Sequence, residues 1–532
     1  MTIKSTLSNL CSLPRRWKEL DLPVRRKRIL ICTLIILHIS PVWVFKYFPS
    51  QDGPAHVYNS YVLSVFHDED STRLQEYYKL NLTLFPNWLA HICLSLLMMI
   101  FPPLIADKIL LSAIIGLFPL SLFYFIGAVG KGKNLLGFAG FLFSDHYLLH
   151  MGFYSFSISV PLFFFALGYF MKHKEDWNLE KIAVLNLLCI LIYFSHILSF
   201  LLLILSLTLL TNTSFYRKPK RVVALLVCML PLYFIMANYL LTNVGADNKG
   251  IELKWERFSD WKAWDYLLST KSLMSFTDAH LIPTRLMGIM LGLLFGVTLY
   301  KRIRQKRILN QENQFLLLFG VFAVFYFIMP GGMASGGWIN DRVNLFMFPV
   351  LLPFLFVDYH RHVKRGIVVC MIILSISRLA INFRYYYPMD RNMKEYTSGI
   401  DLIEKNKVVL GIASDASPNV MDSPPFTHIE FVEPFAHAIN YYCVNNGGIS
   451  LSNYECKYNY FPFDWRIKHS GVIDYIVAWK LDRSKVFACG DDIMRTHGLD
   501  VHEITDSLDT DYELIHSTEN LQVYRHQAER PR

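Results

Sequence analysis

The sequence predicts an α-helical polytopic membrane protein that carries a soluble α/β domain at its C-terminal end. Of its 532 residues, 53% are hydrophobic and only 18% are charged, which is unusual for a water-soluble protein of this length. Several apolar stretches are long enough to cross roughly 30 Å of hydrocarbon. From residue 382 onwards the sequence has instead the composition of an ordinary globular domain.

The N-terminal segment, residues 1–27, is strongly basic and contains "PRRWKELDLPVRRKR" directly before the first apolar run. Basic residues flanking a span favour its cytoplasmic side. The segment is too basic and too long for an ordinary signal peptide, and no small-residue cleavage site follows the apolar run. We therefore expect a retained first span at 28–48 and a cytoplasmic N-terminus.

Residues 49–104 are predicted to form the first outer loop, and this loop is acidic. It contains the apolar but short segment "WLAHICLSLLMMIF", within 87–101. This segment could span the membrane, or it could lie in the interface as a juxtamembrane helix. Counting it as a span would place most later basic clusters outside, so the interfacial position is preferred.

The remaining apolar runs predict about eleven spans in all, which makes residues 28–381 a transmembrane domain. The run 182–210 is too long for one span and is interrupted by "FSH" at 194–196, so two spans are expected to turn there. The other spans are predicted at 109–129, 134–148, 153–171, 222–241, 284–300, 314–329, 343–357 and 366–381. With this register the basic clusters, such as "KRIRQKR", lie inside, and the segments rich in Asp, His, Gly and Trp lie outside.

Residues 382–532 are predicted to form an extracytoplasmic soluble α/β domain. The stretches "KVVLGIASD", "GVIDYIVAWKL" and "LQVYRH" are typical of short strands. Three of the nine cysteines, Cys443, Cys456 and Cys489, fall in this domain. A disulfide between two of them is compatible with an oxidising compartment, but the sequence does not select a pair.

Polar residues recur at the outer ends of several predicted spans. They are Asp52 and His56 after the first span, Asp145, His146 and His150 after the third, His196 at the turn in the long run, and Asn340, Asp341 and Arg342 before the tenth. Taken singly, such a histidine is more often hydrogen-bonded scaffolding, and Asp341 and Arg342 could simply form a local ion pair. Their convergence on one side favours a site, because charged groups at membrane depth are costly and usually functional.

The sequence resembles the GT-C superfamily of membrane glycosyltransferases, which includes the protein O-mannosyltransferases and the aminoarabinose transferase of lipid A. The resemblance covers roughly residues 28–380 and is carried by "DGPAHVYN", "HMGFYSFSISVPLFFFALGYF", "YFSHILSF" and "NDRVNLFMFPVLLPFLFV". Together these stretches look like an uncharacterised bacterial branch of that superfamily. Many members carry two adjacent acids in the first outer loop, whereas here Asp52 is followed by Gly53.

The resemblance implies an inverting transfer of a sugar from a polyprenyl-phosphate carrier to a glycan, lipid or protein acceptor outside the membrane. Asp52 would be the general base, oriented by His56. Arg342 would bind the phosphate through its fork of donors. Further candidates for substrate binding are Asp145, His146, His196 and Asn340. The Asp/His set could hold a divalent cation, although its spacing matches no known metal signature. A lipid-linked donor needs no nucleotide-binding motif, and we expect no nucleic-acid partner.

Three alternatives remain at this stage. A transporter would be expected to show internal repeats and polar groups in mid-membrane, and neither is visible in the sequence. A non-catalytic assembly or export factor is favoured by the incomplete acid pair. A polysaccharide polymerase or ligase that uses a diphosphate carrier shares the same features. In each case the expected location is a bilayer, most naturally the bacterial inner membrane, with the C-terminal domain outside the cytoplasm.

Overall fold

The computed structural model describes residues 22–82, 85–130, 134–212, 223, 227, 229–239, 241, 253–305, 313–332, 337–415, 432–444, 446–458, 461–467, 471–485, 487–488 and 497–527. Most of the predicted cytoplasmic N-terminus, most of the predicted span 222–241 before residue 229, and Cys489 lie outside these residues.

The described residues up to residue 400 are mainly helical. In chain order the helices are α1 (Leu22–Val44), α2 (Gly53–Val65), α3 (Thr72–Tyr77), α4 (Leu89–Met98), α5 (Pro103–Val129), α6 (Gly140–Phe143), α7 (Tyr147–His150), α8 (Tyr154–His173), α9 (Leu179–Ser195), α10 (Ile197–Asn212), α11 (Leu230–Tyr239), α12 (Trp261–Leu268), α13 (Leu281–Arg304), α14 (Asn313–Ile328), α15 (Ile339–Leu351) and α16 (Arg361–Tyr396). Large apolar side chains of these helices form one continuous core.

Five helices of the described part, α1, α5, α8, α13 and α16, are long and apolar enough to cross a membrane. Shorter apolar helices, among them α10 and α14, lie beside them. The chain is therefore a helical protein with several apolar helices of membrane-spanning length, and the count of eleven spans stays a prediction.

One local prediction about the helices is confirmed, and the interfacial position of the segment within 87–101 stays a prediction. The long apolar run is divided at His196, where α9 ends and the backbone is extended (φ −159°, ψ 128°) before α10 begins. The segment within 87–101 forms α4, a helix of 10 residues. At 1.5 Å per residue, α4 is only about 15 Å long, too short to cross the hydrocarbon.

The predicted span 134–148 is not one continuous helix. It consists of a 3-10 helix (Leu135–Ala139), α6, and a break before α7. Two glycines allow this segment to pack closely on α5: a Cβ on Gly137 would lie 2.3 Å from the Phe123 ring, and one on Gly140 would lie 2.5 Å from Cα of Pro119. Periodicity in the sequence does not reveal such a close approach.

The C-terminal region is built on a mixed sheet. Its strands are β2 (Val408–Ala413), β3 (Ile449–Ser450), β5 (Tyr475–Trp479), β6 (Phe487–Ala488), β7 (Tyr512–Ser517) and β8 (Leu521–His526), and short helices α17 (Val501–Asp506) and α18 (Leu508–Asp511) precede β7. The strand order is β3-β2-β5-β8-β7, with β6 on β2. β2 runs parallel to β3 and β5, and β8 is antiparallel to β5 and β7. The three strands predicted from sequence are thus confirmed. Cys443 and Cys456 are both buried free thiols, so they do not form a disulfide with each other.

The first outer loop and the C-terminal region form one unit. Strand β1 (Tyr78–Leu80) of the loop pairs antiparallel with β4 (Phe463–Trp465). Side chains from α2 and from the mixed sheet share a second hydrophobic core. Helix α16 does not stop at residue 381 but continues to Tyr396, whose side chain joins that core. The pairing of β1 with β4 requires both segments to lie on the same side of the membrane.

Candidate active site between the membrane helices and the C-terminal region

A cavity of about 540 Å³ lies where the membrane helices meet the first outer loop and the C-terminal region. It contains four of the polar residues predicted from sequence, namely Asp52, His56, His196 and Arg342. Aromatic side chains contributed by three separate parts of the chain complete the polar end, namely Phe153, Tyr154, Phe156, Trp338, Tyr454, Tyr458 and Phe461. The volume falls within the range of pockets that bind small organic ligands.

The backbone of Asp52 is held by the loop that precedes α8. Asp52 N donates to Met151 O at 3.1 Å, and Gln51 N donates to His150 O at 2.8 Å. The close approach depends on Gly152, whose φ is +86° and where a Cβ would lie 2.7 Å from Asp52 N. The stretch "HMGFYS", residues 150–155, therefore fixes the position of Asp52, although the stretch lies about a hundred residues further along the chain.

Gly53, the residue after Asp52, leaves room for two neighbouring side chains. It is the first residue of α2 and does not have a positive φ. A Cβ at this position would lie 2.5 Å from Tyr154 Oη and 2.6 Å from Ser50 Oγ. Asp52 is the N-cap of α2, yet its side chain makes no capping hydrogen bond. The carboxylate is therefore available to the cavity.

The carboxyl group of Asp52 is held in an environment that suits a base near neutral pH. Burial raises its pKa to about 7, and the negative charge of Glu455 adds to this effect. Hydrogen bonds from Tyr454 and Gln51 and the positive charge of Arg342 act in the opposite direction. Its Oδ1 lies 3.6 Å from His437 Nε2. Burial, and then the charge of His56, lower the pKa of His437 to about 4, so this imidazole is neutral and the contact is not an ion pair.

Arg342 is positioned by α15 and by contacts with three aromatic side chains. Its Nη1 donates to His196 Nε2 at 2.8 Å. The guanidinium lies over the ring of Phe153 at 4.6 Å and over that of Phe156 at 5.3 Å. The neighbouring Asp341 carboxylate faces Lys271 at 3.9 Å. The local Asp341–Arg342 ion pair considered from sequence is therefore not needed to explain where Arg342 lies.

The cavity also has an apolar lining. Its wall is formed largely by leucines of α10 and by side chains from the neighbouring helices, namely Leu198, Leu201, Leu202, Leu205, Phe325 and Val343. An alkyl chain can lie against such a wall without leaving a polar group unsatisfied.

Three predicted substrate-binding residues lie elsewhere among the described residues. Asp145 accepts a hydrogen bond from Asn382 and lies 2.8 Å from His150 Nε2, and its backbone oxygen accepts from Arg378. His146 accepts from Leu149 N at 3.2 Å and caps α7.

Asn340, the third of these residues, donates to the backbone oxygens of Tyr326, at 2.6 Å, and Met329, at 3.0 Å. The lining of the cavity, taken over the described residues, includes none of the three. Their contacts are those of scaffolding.

Two buried residues that the sequence did not single out meet His56. Glu455 Oε1 lies 2.5 Å from His56 Nδ1, and Glu455 Oε2 lies 2.9 Å from His91 Nε2. Burial alone would raise the pKa of Glu455, but the charges of His91 and His56 outweigh it and lower the pKa to about 2. The ligand atoms of His56, His91 and Glu455 lie within 4.8 Å of one another, a spacing that could hold a metal ion.

One of these two residues has a weak signal in the sequence. His91 is the single imidazole in the apolar α4, and a lone polar group there could have been noticed. No sequence motif marks Glu455, which meets α2 and α4 only in the folded chain.

No protein-family model matches the sequence, and no curated protein matches it. Among solved structures, the chain is similar to the arabinofuranosyltransferase AftD from mycobacteria, determined by single-particle cryo-EM. The two chains are 11% identical with a TM-score of 0.46, over 94% of this chain and 40% of the other. This chain thus spans less than half the length of AftD, and no residue of the cavity is assigned from the likeness.

Proposed function

We propose that this protein is an inverting membrane glycosyltransferase of the GT-C kind, which transfers a sugar from a polyprenyl-phosphate donor to a hydroxyl group of an acceptor. The observation that carries the proposal is the combination in one cavity of a carboxylate, a guanidinium and an apolar wall, contributed by Asp52, Arg342 and α10. A lipid-linked sugar phosphate has three parts that match them: a reacting sugar carbon for the carboxylate, a phosphate for the guanidinium and a long alkyl chain for the apolar wall.

The proposed reaction requires one proton acceptor and one group that stabilises a departing phosphate. Asp52 removes the proton of the acceptor hydroxyl as its oxygen forms a bond to the anomeric carbon. The bond from that carbon to the phosphate oxygen breaks, and the electron pair leaves with the phosphate. Attack from the side opposite the phosphate inverts the configuration at the anomeric carbon.

Arg342 stabilises the negative charge that develops on the leaving phosphate. A planar guanidinium offers several donors in a fixed geometry that matches phosphate oxygens. The rings of Phe153 and Phe156 and the imidazole of His196 fix its orientation, so it does not need to reorganise as the charge appears. The alkyl chain of the donor lies along the leucines of α10.

The proposal is tested with the purified protein in lipid nanodiscs and a panel of polyprenyl-phosphate sugars carrying a radiolabelled sugar. We expect one member of the panel to release polyprenyl phosphate in an acceptor-dependent reaction. Asp52→Asn keeps the shape of the side chain and should lower the rate by roughly 10²–10⁴-fold, the usual effect of losing a general base.

The matched control is Asp68→Asn, which makes the same chemical change at an exposed position in the same loop. It should transfer sugar like the unaltered protein. Full activity in a folded Asp52→Asn variant would remove the proposed base. Turnover of diphosphate-linked glycans alone would instead indicate the polymerase or ligase alternative.

A further inference from the structure

The site of interest comprises His56 on α2, His91 on α4 and Glu455 in the C-terminal region. His91 and Glu455 are fully buried, and His56 is 6% exposed and lines the cavity. His56 Nδ1 and His91 Nε2 are 3.3 Å apart. Two nitrogens bound to one tetrahedral zinc ion, each at 2.0–2.1 Å, would lie about 3.3–3.4 Å apart.

The hydrogen bonds of His91 place a lone pair of a neutral imidazole against an oxygen of the Glu455 carboxylate. Its Nδ1 lies 3.2 Å from the backbone oxygen of Asn87, which can only accept, so Nδ1 carries a hydrogen. In a neutral imidazole Nε2 then has a lone pair, and this lone pair faces Glu455 Oε2 at 2.9 Å. Two lone pairs at this distance repel each other unless a cation lies between them.

The other carboxylate oxygen of Glu455 is also buried without a suitable donor. Oε1 is fully buried and forms no hydrogen bond of acceptable geometry, although His56 Nδ1 is 2.5 Å away. The three residues thus bring potential ligand atoms to one buried point beside the cavity. A carboxylate buried in such a place is strongly destabilised unless a cation compensates its charge.

The surroundings of the cluster are those of a metal site. The hydrogen bond from His91 Nδ1 to Asn87 O is the outer contact that orients most metal-binding histidines. The ring of Phe461 covers both imidazoles, with its centroid 6.0 Å from that of His56 and 5.8 Å from that of His91.

We infer that His56, His91 and Glu455 bind a transition-metal ion of the zinc class, and that this ion fastens the C-terminal region to α2 and α4 of the first outer loop. Two imidazoles and one carboxylate form a ligand set that binds zinc, with a fourth position for water. Mg²⁺ and Ca²⁺ prefer oxygen ligands throughout. To reach ordinary zinc geometry, the carboxylate oxygens would move away from the ring nitrogens by about 0.4–0.8 Å.

This cation site is separate from the Asp/His set suggested by sequence, because Asp145 and His146 do not contribute to it. The inference does not depend on the proposed transferase activity, since metal content and stability are measured without substrate. The competing explanation is a metal-free cluster in which one imidazole is protonated and pairs with Glu455.

The test uses the full-length protein, purified in detergent without a histidine tag, with metal content measured by inductively coupled plasma mass spectrometry. We expect about one zinc-class ion per chain, and a fall to below about one fifth of that in His91→Gln, because losing a ligand greatly weakens binding. His67→Gln, at an exposed histidine on the same loop, is the matched control and should keep the ion.

Stability provides the second readout. Chelation should lower the Tm of the unaltered protein and of His67→Gln by about 5 °C or more, and Zn²⁺, but not Mg²⁺, should restore it. His91→Gln should show no response to either treatment. If His91→Gln does not fold, Glu455→Gln or His56→Gln takes its place.

A folded, unaltered protein that contains no ion and whose Tm responds to neither chelator nor added Zn²⁺ would overturn the inference and leave the protonated cluster. A stoichiometric ion retained in all three ligand variants would also overturn it, by placing the ion elsewhere.

Discussion

Nη1 of Arg342 lies 2.8 Å from Nε2 of His196. His196 is the residue with an extended backbone that separates α9 from α10. A guanidinium has only donors, so the imidazole nitrogen accepts. With the rings of Phe153 and Phe156 against it, the guanidinium is held by contacts from two places in the chain, the start of α8 and the junction of α9 and α10. A side chain fixed in this way can present its fork of donors to a phosphate in one orientation.

We predict that Arg342→Lys weakens binding of undecaprenyl phosphate about tenfold, and that Arg342→Ala weakens it further, by up to about 100-fold. Lysine keeps the charge but loses the fork and the stacked geometry, and a hydrogen bond to a charged group contributes about 1.5–3 kcal/mol. Equilibrium binding of the radiolabelled lipid to the purified protein measures both effects.

The control for this prediction is Arg285→Ala, which removes an arginine whose partner is the partly exposed Asp265. It should bind the lipid like the unaltered protein. Unchanged binding by Arg342→Ala would exclude Arg342 as the phosphate ligand.

The arrangement of the membrane helices predicts which loops are accessible from outside the cell. Single cysteines at Asp68 and His502 should both react with a membrane-impermeant thiol reagent in intact cells, because the pairing of β1 with β4 puts their segments on one side. A cysteine at Glu175, in the exposed turn between α8 and α9, should react only after the cells are opened. The background lacks accessible native cysteines. Labelling of Glu175→Cys in intact cells would contradict the predicted topology.

Features set by a few neighbouring residues could be predicted from the sequence. The break at His196, the short α4 and the strands β2, β5 and β8 all follow from local periodicity and turn residues. Asp52, His56, His196 and Arg342 could be grouped because they lie at the outer ends of predicted spans.

The remaining features depend on contacts between distant parts of the chain. Asp145 and His146 also lie at the end of a predicted span, but their segment is broken and packs on α5, so they do not reach the cavity. Glu455 meets His56 and His91 only because the C-terminal region folds onto the first outer loop. Neither periodicity nor motif encodes such a contact.

The junction of these two parts of the chain also contains a reciprocal amide pair. Asn59 on α2 and Asn453 each donate to the other's side-chain oxygen at 2.9 Å, and both side chains are almost fully buried. Removing one asparagine leaves the amide of the other buried without these mutual hydrogen bonds, which lowers the free energy of unfolding by about 1–3 kcal/mol.

We predict that Asn59→Ala and Asn453→Ala each destabilise the protein by about this amount, and that the double variant loses less than the sum. The coupling energy expected for two residues in contact is about 0.5–3 kcal/mol. Denaturant unfolding of the solubilised protein, followed by tryptophan fluorescence, measures it. Additive losses would show that the pair does not join the two segments.

The last prediction concerns Gly152, which fixes Asp52. Its φ of +86° disfavours any side chain, and a Cβ would lie 2.6 Å from Gly53 N and 2.7 Å from Asp52 N. Backbone atoms cannot move aside as a flexible side chain can. Gly152→Ala must therefore shift residues 51–53, and with them the proposed base, in addition to the cost of about 1 kcal/mol or more for the strained backbone.

Gly498 separates these two effects, because its φ is +69° and a Cβ there would meet nothing within 4 Å. Gly498→Ala should lower stability by the backbone cost alone and leave the cavity intact. We expect Gly152→Ala to lower the rate of sugar transfer at least about 100-fold, since a misplacement of about 1 Å can have this effect. Gly498→Ala should transfer sugar at the rate of the unaltered protein, per folded molecule. Equal rates in the two variants would show that the contact between Gly152 and Asp52 does not position the base.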